Sequence, residues 1–138
     1  MKNNTYIAER KKTYIIFTIF FSFLFLLFKL MTFGWLTIFI FVFIPGYLIL
    51  YNIASILTAC IKNKKKSDHI RYWCLSFSFI LSGLTFCDFG DIGPTVKIIK
   101  FLPDNILLNI CFSSFVICII LSIISIVLYF KKKKLHSI

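Results

Sequence analysis

Along the chain, long uncharged apolar stretches alternate with short blocks of charge. Four stretches stand out, over residues 14–33, 36–61, 72–87 and 106–130, holding 20, 26, 16 and 25 residues. A helix rises about 1.5 Å per residue and a bilayer core is about 30 Å thick, so about 20 apolar residues cross it. The pattern predicts an all-α integral membrane protein: a single four-helix transmembrane domain over 1–138, with no soluble domain. The first two stretches nearly touch. One straight helix over 14–61 would be about 72 Å long, so the chain is expected to turn back at Gly34 and Trp35. The second stretch is long enough to tilt or to bend at Pro45 and Gly46. The third is short unless Tyr72 and Asp88 stand among the headgroups.

Composition strengthens this picture. Residues are 59% hydrophobic and 15% charged, and the mean hydropathy is +0.92, whereas a soluble domain is about one quarter charged. The formal net charge of +11 would suggest a nucleic-acid partner in a soluble protein. Its distribution assigns it instead to orientation. Lys2, Arg10, Lys11 and Lys12 precede the first stretch; Lys62, Lys64, Lys65, Lys66 and Arg71 separate the second from the third; Lys131, Lys132, Lys133 and Lys134 follow the fourth. Only Lys29, Lys97 and Lys100 fall on the other side. Basic segments are retained in the cytoplasm, so both termini are expected there, facing anionic lipid headgroups, with no nucleic acid involved. Lys29, near the outer end of the first stretch, is expected to snorkel to the interface. No small-x-small site follows that stretch, which reads as an insertion signal rather than a cleaved leader.

The segments between stretches hold at most 18 residues, too few for a nucleotide-binding or catalytic domain, and none of the 5 glycines forms a phosphate-cradling motif. No cofactor, catalytic or metal-ligating set is legible, and the chain reads as a non-enzyme. The 5 cysteines include no CxxC pair. Cys87 and Cys111 are expected at similar depth near the outer face, where a disulfide is conceivable, but buried thiols are the simpler reading. Cys60, His69 and Cys74 match no zinc spacing. No ionisable residue falls in the middle of a stretch, which argues against proton-coupled transport.

Small polar residues recur at helical spacing. Asn52 and Ser55 lie in the second stretch, Cys74, Ser78, Ser82 and Thr85 in the third, and Cys111, Ser114, Cys118, Ser122 and Ser125 in the fourth. Small side chains let helices approach inside lipid, where the hydrophobic drive for association is absent. These residues are therefore expected to form packing seams, with the third and fourth stripes meeting and Asn52 bonding a neighbouring helix.

The outer loop, 88–105, is the one segment neither purely apolar nor purely basic. Pro94 is expected to open and Pro103 to close a short helix holding Val96, Ile98, Ile99, Phe101 and Leu102, with Lys97 and Lys100 on one face, an amphipathic segment lying on the membrane surface. Asp88, Asp91, Lys97, Lys100 and Asp104 are the candidate partner contacts. The richness in Phe, Ile and Lys and the scarcity of Gly and Ala suggest an AT-rich bacterial genome and hence a bacterial inner membrane. The expected function is that of a small multi-pass protein acting through helix–helix or outer-loop contacts with a membrane-protein partner or as a homo-oligomer. It would serve as an accessory or regulatory subunit or as a toxin-immunity protein. The alternative is a small oligomeric transporter or channel.

Overall fold

The computed structural model describes residues 2–32, 43–61, 66–88 and 96–135, with side chains over 11–32, 43–61, 66–86 and 98–134. Among these residues there are four helices: α1 Lys2–Met31, α2 Phe43–Cys60, α3 Lys66–Leu84 and α4 Asp104–Leu135. Two-residue strands, β1 Cys87–Asp88 and β2 Val96–Lys97, pair antiparallel between α3 and α4, with Cys87 opposite Lys97 and Asp88 opposite Val96. The expected turn at Gly34 and Trp35 and the first residues of the second stretch, 36–42, lie outside the described residues.

Helix ends depart from the apolar stretches where polar residues are good helix formers. α4 runs on through Lys131, Lys132, Lys133 and Lys134, because lysine has high helix propensity and cations are favoured at a helix C-terminus. α3 begins at Lys66 rather than Tyr72, and carries Asp68 in its first turn, where a negative charge meets the positive end of the helix dipole. It ends at Leu84, with the Thr85 amide bonded to the Leu81 carbonyl at 3.0 Å. Three helical segments are long and apolar enough to cross a membrane: Lys11–Met31, Phe43–Cys60 and Asp104–Lys134. α3 is not one of them. Like α2, it packs against all three other helices.

The expected amphipathic surface helix is not formed. Val96 and Lys97 are in the ladder, and residues 98–103 run as bends and turns. β-branched Val96, Ile98 and Ile99 favour extended backbone. Pro103 opens α4 rather than closing an earlier helix, since its carbonyl accepts from the Leu107 amide at 3.1 Å.

The core is a run of aromatic rings. Phe79 of α3 lies between Tyr51 of α2, stacked at 3.8 Å and 3°, and Phe25 of α1, stacked at 4.4 Å and 26°. Tyr47 extends the cluster to Phe115 of α4, 4.5 Å away. Both phenol groups are satisfied on α3: Tyr47 donates to Ser82 Oγ at 3.0 Å and Tyr51 to Ser76 Oγ at 3.1 Å. A buried phenol needs such a partner, and each bond ties α2 to α3 at a fixed height. Thr18, Thr58 and Thr85 turn their hydroxyls onto carbonyls four residues earlier in their own helices. The exterior is the reverse of a soluble protein, with Ile16, Leu30, Phe77 and Phe112 all exposed.

Gly83 sets the α1–α3 distance. A Cβ there would stand 2.7 Å from Phe25 Cδ2, and the Phe25 ring cannot retreat because Phe79 backs it. Gly83→Ala is expected to lower stability by about 1–3 kcal/mol through overpacking. Gly46, with nothing within 4 Å of an added Cβ, serves as the comparison. Thermal unfolding of both alanine variants in detergent checks this: Gly46→Ala should melt at or above the parent, and Gly83→Ala several degrees below it.

Candidate functional site

The small-residue seams are placed as follows. On α4, Ser114, Cys118, Ser122 and Ser125 are buried and Cys111 is half-buried, its thiol donating to the Ser82 carbonyl at 3.2 Å. Cys111 is therefore a thiol, not half of a disulfide with Cys87. On α3, Ser78, Ser82 and Thr85 are buried but Cys74 is exposed, beside Trp73 and Phe77. The expected stripe was thus one position out of phase at its start. Leu75, fully buried, occupies the seam position that repeats through Ser78, Ser82 and Thr85. Ser22 Oγ donates to Asn52 Oδ1 at 3.0 Å, and Asn52 Nδ2 donates to the Leu48 carbonyl at 2.8 Å, so Asn52 joins α1 to α2. The Ser55 and Ser122 hydroxyls are buried with no hydrogen-bond partner among the described residues.

At the loop end, the expected partner-contact residues are dispersed. Asp88 and Lys97 lie on the paired strands, Lys100 is exposed in the following turn, and Asp104 opens α4 half-buried; Asp91 is outside the described residues. Lys97 and Lys100 do not share a helix face, because that helix is absent. Lys29 does not snorkel. It is only 8% exposed, with its ammonium 3.1 Å from the centroid of the Phe86 ring and 5.5 Å from that of Phe25. A cation over an aromatic face is favourable, and Phe86, just after α3, covers it at the expense of the route to water.

At the opposite end the bundle builds a polar cluster that the apolar pattern concealed. Asp68 is 2% exposed. Its Oδ1 accepts from Arg71 Nη2 at 2.9 Å and its Oδ2 from Lys132 Nζ at 2.5 Å. Arg71 Nε also donates to Ser125 Oγ at 3.1 Å. A buried carboxylate is costly unless paired and hydrogen-bonded, and here each oxygen has its own cation, one from α3 and one from α4. On the α1 side, the Tyr14 phenol and His69 Nδ1 share a hydrogen bond. The Tyr14 carbonyl accepts from the Tyr72 phenol at 2.8 Å and from Thr18 Oγ1 at 2.9 Å. Tyr14 and Tyr72 also meet edge to face at 4.4 Å.

These contacts draw the basic regions of α1, α3 and α4 to one end of the bundle. Sequence reading grouped Asp68 with solvated loop charge because it closes the run Lys62–Asp68 and stands before the apolar stretch that begins at Tyr72. The signal that was available is the Asp68–Arg71 spacing of three, which puts both side chains on one face of a helix if that helix starts early.

Removing the carboxylate leaves two cations facing each other, so Asp68→Ala is expected to cost about 3–5 kcal/mol. Lys132→Gln acts on the more exposed partner and should cost about 1 kcal/mol. Tyr14→Phe loses one bond to His69, worth about 0.5–1.5 kcal/mol. Denaturation of the three variants in detergent should place Asp68→Ala well below the other two, and equal melting of Asp68→Ala and the parent would refute the clamp.

In comparisons with known proteins, no protein-family model, no curated protein and no solved structure matches this chain.

Proposed function

We propose that the chain is a multi-pass protein of a bacterial inner membrane that catalyses no reaction and works by contact. It serves as an accessory or regulatory subunit, or as an immunity protein against a membrane-active toxin. The observation that carries this reading is the filled axis: the Tyr51–Phe79–Phe25 stack, extended by Tyr47 and Phe115, occupies the centre of the bundle where a single-chain conduction path would run. Surfaces remain as the working parts. Apolar side chains point outward along the helices, while Lys100 and Asp104 stand near the ladder.

The membrane reading draws support from the inverted distribution of side chains, with hydroxyls inside and Phe, Ile and Leu outside, which suits a lipid solvent. Orientation rests on the basic blocks. Arg71 and Lys132 meet at Asp68, and Tyr14, just after Lys11 and Lys12, meets His69. The end they share is the cytoplasmic one under the positive-inside bias, and all four helices cross.

Two measurements test this. Alkaline phosphatase fused after Ile138 should be inactive and a cytoplasmic reporter at the same place active; the reverse result overturns the orientation. In cells challenged with pore-forming toxins, expression should protect, and Lys97→Ala with Lys100→Ala should weaken protection without lowering protein level. Substrate-dependent flux through vesicles containing the purified protein, insensitive to those two changes, would replace this reading with an oligomeric transporter or channel.

A further inference from the structure

We infer that Arg71 and Lys132 bind the phosphate of an anionic membrane lipid at the basic end of the seam between α3 and α4, an inference that rests on the membrane reading above. The starting point is how the two cations are held. Asp68 places the guanidinium on one carboxylate oxygen and the ammonium on the other, so charges from two helices are fixed side by side. One carboxylate offsets only one of them, so among the described residues the cluster keeps a net positive charge.

Donor accounting points the same way. Arg71 uses Nε on Ser125 and Nη2 on Asp68, while Nη1 makes no hydrogen bond among the described residues. The Arg71 side chain is 10% exposed and held at two other points, which leaves Nη1 as the group for an anion to meet. Lys132 spends one of three donors on Asp68 and is 29% exposed. Phosphate suits this arrangement because its oxygens accept from a guanidinium fork and an ammonium together.

The surroundings favour a lipid as the source of the phosphate. Lys66, Lys131 and Lys133 are exposed on the same two helices and add an attractive field for anions. Exposed Ile70, beside Arg71, and Phe130, two residues before Lys132, offer apolar surface to acyl chains. Headgroup phosphates lie at the depth where a helix passes from apolar residues to a lysine run.

The test is native mass spectrometry of the full chain released from detergent micelles carrying phosphatidylglycerol or phosphatidylcholine. One phosphatidylglycerol per chain should be retained, about tenfold in preference to phosphatidylcholine. Lys132→Gln and Arg71→Lys should each reduce that retention about tenfold, while the double change Lys131→Gln with Lys133→Gln should alter it less than about twofold. Lys132→Gln keeps the test decisive if Arg71→Lys misfolds, because Lys132 is the more exposed partner. Equal losses from all these changes would mean general charge attraction and would overturn the site. Displacement of the lipid by millimolar inorganic phosphate would overturn the lipid and leave a soluble phosphoryl ligand. Failure of the membrane reading is distinguished by alkaline carbonate extraction, which would then strip the chain from membranes; failure of the site alone leaves it embedded without a defined lipid.

Discussion

The Phe79 ring, held between Tyr51 and Phe25, is the contact on which the arrangement of the helices depends. It brings three helices to one point, and Tyr47 carries the cluster on to the fourth. Ring stacking contributes about 0.5–1.5 kcal/mol per pair beyond area burial. Its larger effect is geometric. Once the rings are seated, the two tyrosine hydroxyls reach Ser82 and Ser76, and Gly83 must remain without a side chain so that Phe25 can lie against α3.

α3 follows from the same constraint. It is the most polar of the helices, with Asp68, His69, Arg71 and a series of serines, and, with α2, it is one of the two that touch every other helix. The apolar solvent of a bilayer reverses the logic of a soluble core, because an unsatisfied polar group costs most where lipid would touch it. The bundle places its hydroxyls and the Asp68 carboxylate inward. Each helix supplies part of what α3 needs: α1 gives the Tyr14 carbonyl, α2 the tyrosines, and α4 Lys132 and Ser125.

The two ends of the bundle differ in chemistry as a result. One end closes over Lys29 with Phe86, and the cation is withdrawn from the surface. The other end collects lysines and arginine around a single buried acid, leaving donors turned outward. A protein whose interior is filled and whose charge is concentrated at one rim is suited to interactions at its periphery. That asymmetry is why contact, rather than conduction within the chain, is the reading developed here.

Sequence alone determined the all-helical class and the count of four helices among the described residues, because the length of an apolar stretch and the charge that ends it are local properties that distant neighbours do not alter. It also located the α4 seam of Ser114, Cys118 and Ser122, since helical periodicity is a local rule. Tertiary structure decided what depends on partners distant in the chain. Asp68 is 64 residues from Lys132, and its local spacing to Arg71 does not reveal that it is buried. Lys29 had two permitted fates, snorkelling outward or lying beneath an aromatic ring, and the position of Phe86 chose between them. Cys74 fell out of the stripe because the face of α3 that is buried is set by where Phe79 must point. Residues 96–103 lost their expected helix for the same kind of reason: an apolar and basic segment has amphipathic potential in isolation, but the backbone of Cys87–Asp88 offered Val96–Lys97 a pairing edge, and paired extended chain is incompatible with a helix through the same residues.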